Sequence, residues 1–330
     1  MTPIDHAARV RRVAAVVGDE TLLVTDLTDL RWLTGFDTSH GWAVMRGGEL
    51  VVGTDGRYGD KAIAETAGTG ASVVVEQDRD RLRAKRDELS IGADDTDLVK
   101  RLRRVKDAAE IERIEAAARI ADAALAEVEP MLDGACELDV RAELEYRMVK
   151  LGADDRSYLT IVAAGPDHSA RPHHRASRRT MVEGDTVIVD VGALVDGYHS
   201  DMTRSWVIGF ATAQQRDVYE LVAASQAAGL AAVVAGASSR DVDNACRSVF
   251  EDGGLIEWYI HGTGHGVGLD IHEDPFLNQA TETKLQAGMV VTVEPGLYRG
   301  GFGGFRLEDL VLVTDAGHRV LTHSPKRELN

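Results

Sequence analysis

The first hundred residues alternate short apolar runs with stretches whose apolar positions recur at helical spacing. Ala8, Val10, Val13, Ala14 and Val17 fall on one face of a helix over residues 5–17, with Gly18 placed to end it. Apolar runs at 21–25, 42–45 and 50–53 read as strands, and the Arg46-Gly47-Gly48-Glu49 break between the last two reads as a hairpin turn. Thr54-Asp55-Gly56-Arg57-Tyr58 leads into a helical stretch through residue 66, then a strand at 72–76 and a polar helix at 78–89. Strands interleaved with helices predict a small α/β domain over residues 1–100.

From 100 to 128 the pattern is one long helix, with Leu102, Val105, Ile111, Ile114, Ala118, Ala121 and Leu125 along a face. Asp133-Gly134 breaks it, and a second helix over 138–151 ends at Gly152. The texture then turns to strands at 158–163, 186–191 and 202–208. A helical stretch at 214–235 leads to another helix opened by Ser238 or Ser239, whose hydroxyl can cap free amides, and strands return at 289–293 and 307–314. The order helix, strands, hairpin therefore occurs twice, around 138–208 and 241–314, which suggests an internal duplication within a second domain, 101–330.

Composition narrows the function classes. A formal net charge of −17 argues against binding a nucleic-acid backbone, which wants clustered Lys and Arg. The basic run at 101–106 is followed at once by interleaved acids and reads as a solvated helix face. No run approaches the roughly 18 apolar residues of a membrane span. The first dozen residues carry charges where a secretory leader has an apolar core, so the expected location is cytoplasmic. Cys136 and Cys246, far apart in helical stretches, suggest neither a disulfide framework nor a thiolate metal site.

Chemistry concentrates late in the chain. His261, His265 and His272 stand among alternate glycines (Gly262, Gly264, Gly266, Gly268), a texture no helix supports. A helical zinc-protease motif also needs a Glu directly after its first His, where Gly262 stands. That leaves a ligand-bearing segment near a sheet, or a His-rich loop, and carboxylates elsewhere bear on the choice. Asp196-Gly197 is a strong two-residue turn signal; with the turn there, Asp190 pairs with Thr203 and Asp201 lies on the same face. Asp190 is flanked by Val187, Ile188, Val189 and Val191, and a charge buried among them is costly unless paired or metal-bound. Taken alone, it fits a carboxylate tying down a turn equally well. Glu294 ends the apolar run 290–293 and Glu308 opens another, and each singly is compatible with a strand end facing solvent. Together, two Asp, two Glu and His265 form a mostly oxygen donor set with charge enough for two divalent ions. Two metals about 3.5–4 Å apart clamp a bridging water, yield hydroxide at neutral pH and polarise a carbonyl, which is what amide hydrolysis requires.

With these residues in view, the chain from about Leu102 resembles the catalytic domain of the pita-bread metallopeptidases: Xaa-Pro aminopeptidases, Xaa-Pro dipeptidases (prolidases) and, more distantly, methionine aminopeptidases. The resemblance is carried by the Asp190–Asp201 segment, His261-x-x-Gly-His265, Val293-Glu-Pro-Gly296 and Arg306-Leu-Glu-Asp309. Residues 1–100 are similar to the creatinase-type N-terminal domain through Leu30-Arg-Trp-Leu-Thr-Gly-Phe36 and Thr54-Asp-Gly-Arg-Tyr58. The implied fold class is α+β, a duplicated pita-bread domain around a curved antiparallel sheet after a small α/β domain. The resemblance implies that Asp201 and Glu308 bridge two metals, that Asp190 completes one site, and that His265 with Glu294 completes the other. Glu294 would also handle the proton of the attacking water. His272 would touch substrate near the scissile amide, His261 would form the proline-side pocket, and His173, beside His174, would steady the tetrahedral intermediate. Arg306 would hold a neighbouring carboxylate. His40, His168, His199, His318 and His323 read as surface or loop residues.

The implied activity is hydrolysis of the Xaa-Pro bond at the N-terminus of small peptides, with Mn²⁺ favoured and Co²⁺ or Zn²⁺ as alternatives. Prolidases often carry an Arg between the His-Glu-Asp-Pro and Val-Glu-Pro-Gly segments; here only Lys284 stands between Pro275 and Glu294, which favours an aminopeptidase over a dipeptidase. Metal-free creatinase-like hydrolases and non-catalytic relatives are disfavoured because every ligand is present. The similar proteins are usually homodimers, and a homodimer is expected.

Overall fold

In the computed structural model, which describes residues 1–93 and 97–329, the Arg46–Glu49 break is a tight hairpin. Gly47 and Gly48 take φ of 56° and 82°, left-handed values that side chains resist. The chain divides into two units, Thr2–Arg103 and one starting at Arg104. In the first, strands Thr21–Val24, Gly41–Arg46 and Glu49–Asp55 pair antiparallel, and Ser72–Glu76 joins in parallel after the helix Gly59–Thr66. Helices His6–Val17, Leu27–Thr34 and Arg79–Leu89 each begin at an Asp whose side chain accepts from first-turn amides. A buried ion pair, Asp29 to Arg103 Nη1 at 2.7 Å, lies inside this unit. Burial pushes the Asp29 carboxyl up to about 6, and Arg103 opposes this only in part.

The helix expected over 100–128 is two helices, Leu98–Arg103 and Ala108–Val128. Asp107 and Glu110 cap the second reciprocally, each carboxylate accepting the other's backbone N–H at 2.9 Å. In the gap, Val105 bridges to Met289 and the Lys106 amide donates to Gly288 O, so sheet pairing replaces helix. The basic run is not a solvated face either. Arg103 is buried on Asp29, Lys106 Nζ reaches Glu273 Oε1 at 2.6 Å and Arg104 Nη2 reaches Asp274 Oδ2 at 2.6 Å.

Within the unit starting at Arg104, a pair of helices on an antiparallel sheet occurs twice. Ala108–Val128 and Glu137–Lys150 pack on Ile161–Ala164, Thr186–Asp190 and Thr203–Val207 through Leu125, Leu144, Met148, Val162, Val187 and Val189. Ala213–Ala232 and Ser239–Asp252 pack on the second sheet, ordered Glu273–Leu277, Gly264–Gly266, Val290–Val293, Asp309–Thr314, Gly317–Val320. Each fully buried Val or Leu contributes roughly 1.5–3 kcal/mol. Alternation then decides the site: Val187 and Val189 face the helices, so Ile188 and Asp190 face the opposite side, where Ile188 meets Tyr298. The hairpin Gly296–Arg299/Gly303–Arg306 ties the halves together, with Arg306 and Ser205 exchanging hydrogen bonds. Among the described residues, no helix is long and apolar enough to cross a membrane.

Candidate metal centre

Three backbone arrangements bring the donors to one place. Asp196 (φ 49°) and Gly197 (φ 79°) form the predicted turn, and Asp190 pairs with Thr203. At Gly192 a Cβ would lie 1.9 Å from Ser200 O, so only glycine lets the strands close up there. The Tyr158 hydroxyl stands within hydrogen-bond contact of both Asp190 and Asp201, the latter at 2.5 Å, and shares its one proton between them. In the second half, Val293 pairs with Asp309, and Glu294 and Glu308 lie one step beyond that pair. The His-rich segment supplies the strand Gly264–Gly266 between Glu273–Leu277 and Val290–Val293. Cβ atoms at Gly264 and Gly266 would lie 2.1 Å from Thr292 O and 2.5 Å from Asp274 O. The alternate glycines thus let a narrow strand insert His265 into the cluster.

The donor atoms of Asp201, His265 and Glu308 lie within 4.8 Å of one another. His265 Nε2 stands 3.6 Å from Asp201 Oδ2 and 3.3 Å from Glu294 Oε1, while its Nδ1 bonds Gly266 O at 3.1 Å and so aims Nε2 inward. Arg306 spans the cluster: Nη2 to Asp190 Oδ2 at 2.5 Å, Nη1 to Tyr298 Oη at 2.8 Å and Nε to Thr203 Oγ1 at 3.0 Å. Thr203 Oγ1 in turn donates to Glu308 Oε2 at 2.7 Å. Burial and the surrounding carboxylates hold Asp201 and Glu308 well above the usual carboxylate range. Burial also acts on Glu294, but the hydrogen bond and charge of His265 prevail and bring it down to about 2. His265 is raised: burial opposes its charge, and Glu294 outweighs that. Tyr158, buried among these acids, is pushed well up and stays a phenol donor. Four carboxylates against one guanidinium leave an excess of negative charge that protons or cations must offset. Oxygen donors with one imidazole suit divalent ions, and the residues present fit two of them.

The cluster floors a cavity of about 440 Å³. His173, His261 and His272 all line it, as do Arg175 and Phe276. His261 Nε2 meets Tyr298 Oη at 3.0 Å, and His272 stacks edge-on against His265 at 4.4 Å. Burial lowers both His261 and His272, and nearby His173 adds to this. His174 lines the same cavity beside His173, and its Nε2 meets Glu137 Oε2 at 3.1 Å. Two other histidines are not idle surface groups: His168 bonds Glu137 at 2.8 Å, and His199 Nδ1 meets Ser157 Oγ at 2.8 Å. Both were expected at the surface because their buried partners lie 31 and 42 residues away in the chain.

Sequence reasoning also passed over Tyr158, Tyr298, Glu137 and Asp243. Asp243 is fully buried and accepts from Thr263 N (3.0 Å), Thr263 Oγ1 (2.9 Å) and Arg247 Nε (2.6 Å), fixing the chain beside His261. It stands at helical spacing among polar residues, so only the fold distinguishes it.

This arrangement is a candidate metal centre at the meeting of the two halves, with the donor set of a metal-dependent hydrolase. Residues 112–315 match metallopeptidase family M24. An Xaa-Pro dipeptidase of Pyrococcus furiosus is 42% identical over 71% of this chain and 67% of its own. Among solved structures, an Xaa-Pro dipeptidase from Bacillus anthracis superposes with a TM-score of 0.88 at 32% identity, covering 98% of each chain. An X-Pro aminopeptidase from Thermotoga maritima gives 0.86 at 28%, covering 99% of each. The chain belongs to metallopeptidase family M24 and has its pita-bread fold; it is a hydrolase that works with divalent metal ions.

Proposed function

We propose that the chain cleaves the bond between an N-terminal residue and a proline in second position of small peptides, as an Xaa-Pro aminopeptidase. The observation that carries this reading is the convergence of Asp190, Asp201, His265, Glu294 and Glu308 on the floor of a pocket lined by His173, His261 and His272. An acidic floor suits a free amino terminus, and the half-apolar wall with Ile161 and Phe276 suits a proline ring. When bound, the metal ions polarise the scissile carbonyl and acidify the attacking water. Asp201 and Glu308 would be shared between the ions, Asp190 would complete one site, and His265 with Glu294 the other. Glu294, ionised at working pH, would take the water's proton and pass it to the departing proline nitrogen. His272 would meet the substrate beside the scissile amide, His261 the proline side, and His173 the tetrahedral oxygen. Mn²⁺ is the proposed metal, with Co²⁺ and Zn²⁺ as alternatives, and a cytoplasmic homodimer the proposed assembly.

A dipeptidase reading has one observation in its favour. Arg175 lines the cavity and, among the described residues, makes no ion pair or hydrogen bond, leaving a cation free for a dipeptide's carboxylate. The test is a panel of Xaa-Pro dipeptides, Xaa-Pro-Yaa tripeptides and Met-Ala-Ser, assayed on chelated enzyme with each metal restored. Turnover of tripeptides supports the aminopeptidase; turnover of dipeptides alone replaces it with the dipeptidase; turnover of Met-Ala-Ser alone removes the proline requirement.

A further inference from the structure

Away from the metal cluster, the fully buried Glu137 carboxylate at the start of helix Glu137–Lys150 collects five hydrogen bonds. Oε1 accepts from the Ala164 amide and His168 Nδ1, both at 2.8 Å. Oε2 accepts from Ser177 N (2.9 Å), Ser177 Oγ (2.7 Å) and His174 Nε2 (3.1 Å). His168 and His174 stack at 4.1 Å between ring centres. Ala164 and Ser177 bound the segment that carries His173 to the pocket. The same segment is pinned in its middle: Ser169 Oγ accepts from Gly304 N at 3.0 Å, and Arg306 Nη1 reaches Pro172 O at 3.5 Å. The helix start grips it too, since the Glu137 and Leu138 amides donate to Arg179 O and Ser177 O. His173 itself makes no hydrogen bond among the described residues, so its position is set by its neighbours.

We propose that Glu137, with the stacked pair His168 and His174, is a clamp whose function is to position His173 over the metal centre. This rests on the peptidase reading of the pocket. Glu137 is a positioning residue; it touches no substrate. The alternative, that Glu137, His168 and His174 hold a metal of their own, is weakened by the carboxylate: both its oxygens are already occupied by protein donors. Despite burial, the hydrogen bonds from His168, Ser177 and Ala164 hold Glu137 below the usual glutamate range.

The test is Glu137→Gln, alone and combined with His173→Ala, in the full metal-loaded chain. A glutamine NH2 would have to face either the Ala164 N–H or the Ser177 N–H, backbone donors that cannot turn round, so at least one end of the clamp opens. Misplacement by about 1 Å can cost about 100-fold. The expected result is a tenfold to hundredfold loss of kcat on an Xaa-Pro peptide, with KM within about threefold and two metals still bound per chain. In the His173→Ala background, Glu137→Gln should change kcat by less than about twofold. His174→Gln, which keeps a donor in place of Nε2, should retain activity that His174→Leu loses. Amide exchange at Ala164 and Ser177 should accelerate in Glu137→Gln. Independent, multiplying losses from Glu137→Gln and His173→Ala overturn the proposal. So does unaltered amide exchange, or a third metal ion counted in the wild type and missing from Glu137→Gln. Absence of wild-type turnover on every peptide instead defeats the functional reading, and exchange then judges the clamp by itself.

Discussion

Replacing Asp201 by Asn separates the charge of the metal centre from its packing. Carboxylate oxygens of Asp201 and Glu308 within 4.8 Å repel by about 3.5 kcal/mol or more at an effective dielectric of ~20. Burial, Asp190 and Glu294 add to this and raise Asp201 well above its ordinary value. A carboxyl raised in the folded state contributes stability at low pH that is lost as pH rises through the folded value. At neutral pH the metal-free site is therefore strained, and Asn relieves part of the strain while its carbonyl still accepts from Tyr158. Metal-free Asp201→Asn should be at least as stable as the metal-free wild type, although the position is buried. Wild type at about 100 times Kd in metal should gain about 2.7 kcal/mol, which for a unit of this size is a rise in Tm of roughly 5–11 °C. Asp201→Asn should rise by less than about 2 °C and lose metal-dependent turnover. Thermal unfolding of chelated protein, followed by circular dichroism during Mn²⁺ titration, measures both quantities. A full metal-induced shift in Asp201→Asn would mean that cations bind without this carboxylate. A metal-free variant weaker by more than about 2 kcal/mol would mean that the fold holds the charge instead of resisting it. Either result refutes the reasoning.

Arg306→Lys keeps the charge but cannot reach Asp190, Tyr298 and Thr203 together; metal affinity by calorimetric titration should fall about 10- to 100-fold, and unchanged affinity would count against Arg306 as the orienting group. Gly264→Ala would set a Cβ 2.1 Å from Thr292 O, so stability should drop by about 1–3 kcal/mol with weakened metal binding. Gly300→Ala, which meets nothing within 4 Å, serves as the neutral comparison in the same unfolding assay. Asp29 should titrate near 6 by carboxyl NMR. Because its folded value is raised, wild type should lose up to about 3 kcal/mol relative to Asp29→Asn between pH 4 and 7.5; a difference that is flat or grows with pH contradicts the burial argument.

The residues of the candidate cluster were legible because each stands where a local rule is broken: a charge inside or beside a valine run, or histidines among glycines. Asp196-Gly197 fixed the register, and register fixed which aspartates share a face. What stayed hidden depends on partners distant in the chain. Residues 104–106 continue the helical apolar pattern, yet acids at 273 and 274 and the sheet edge at Met289 claim the backbone and side chains there. Tyr158 looked like an ordinary strand residue, and Glu137 like one of the acids common in a first helical turn. Nothing in their immediate surroundings marks them, because what they touch lies 27 to 43 residues further along.

The duplication gives the hidden residues a common logic. The first half supplies Asp190 and Asp201, and the second supplies Glu294, Glu308 and His265, so neither half alone makes the centre. Each half also anchors a histidine-bearing segment on a fully buried carboxylate from its second helix: Glu137 holds the segment of His173, and Asp243 holds the chain at His261 and Thr263. The anchoring chemistry is the same, a carboxylate accepting backbone and hydroxyl donors, though Glu137 opens its helix while Asp243 lies one turn in. Strands can set ligands to within hydrogen-bond distances because their ladders are rigid, whereas a loop has no ladder and needs a fixed charge-assisted anchor. Pocket histidines carried on loops would otherwise forfeit the geometry that the sheets impose on the carboxylates and His265 of the cluster.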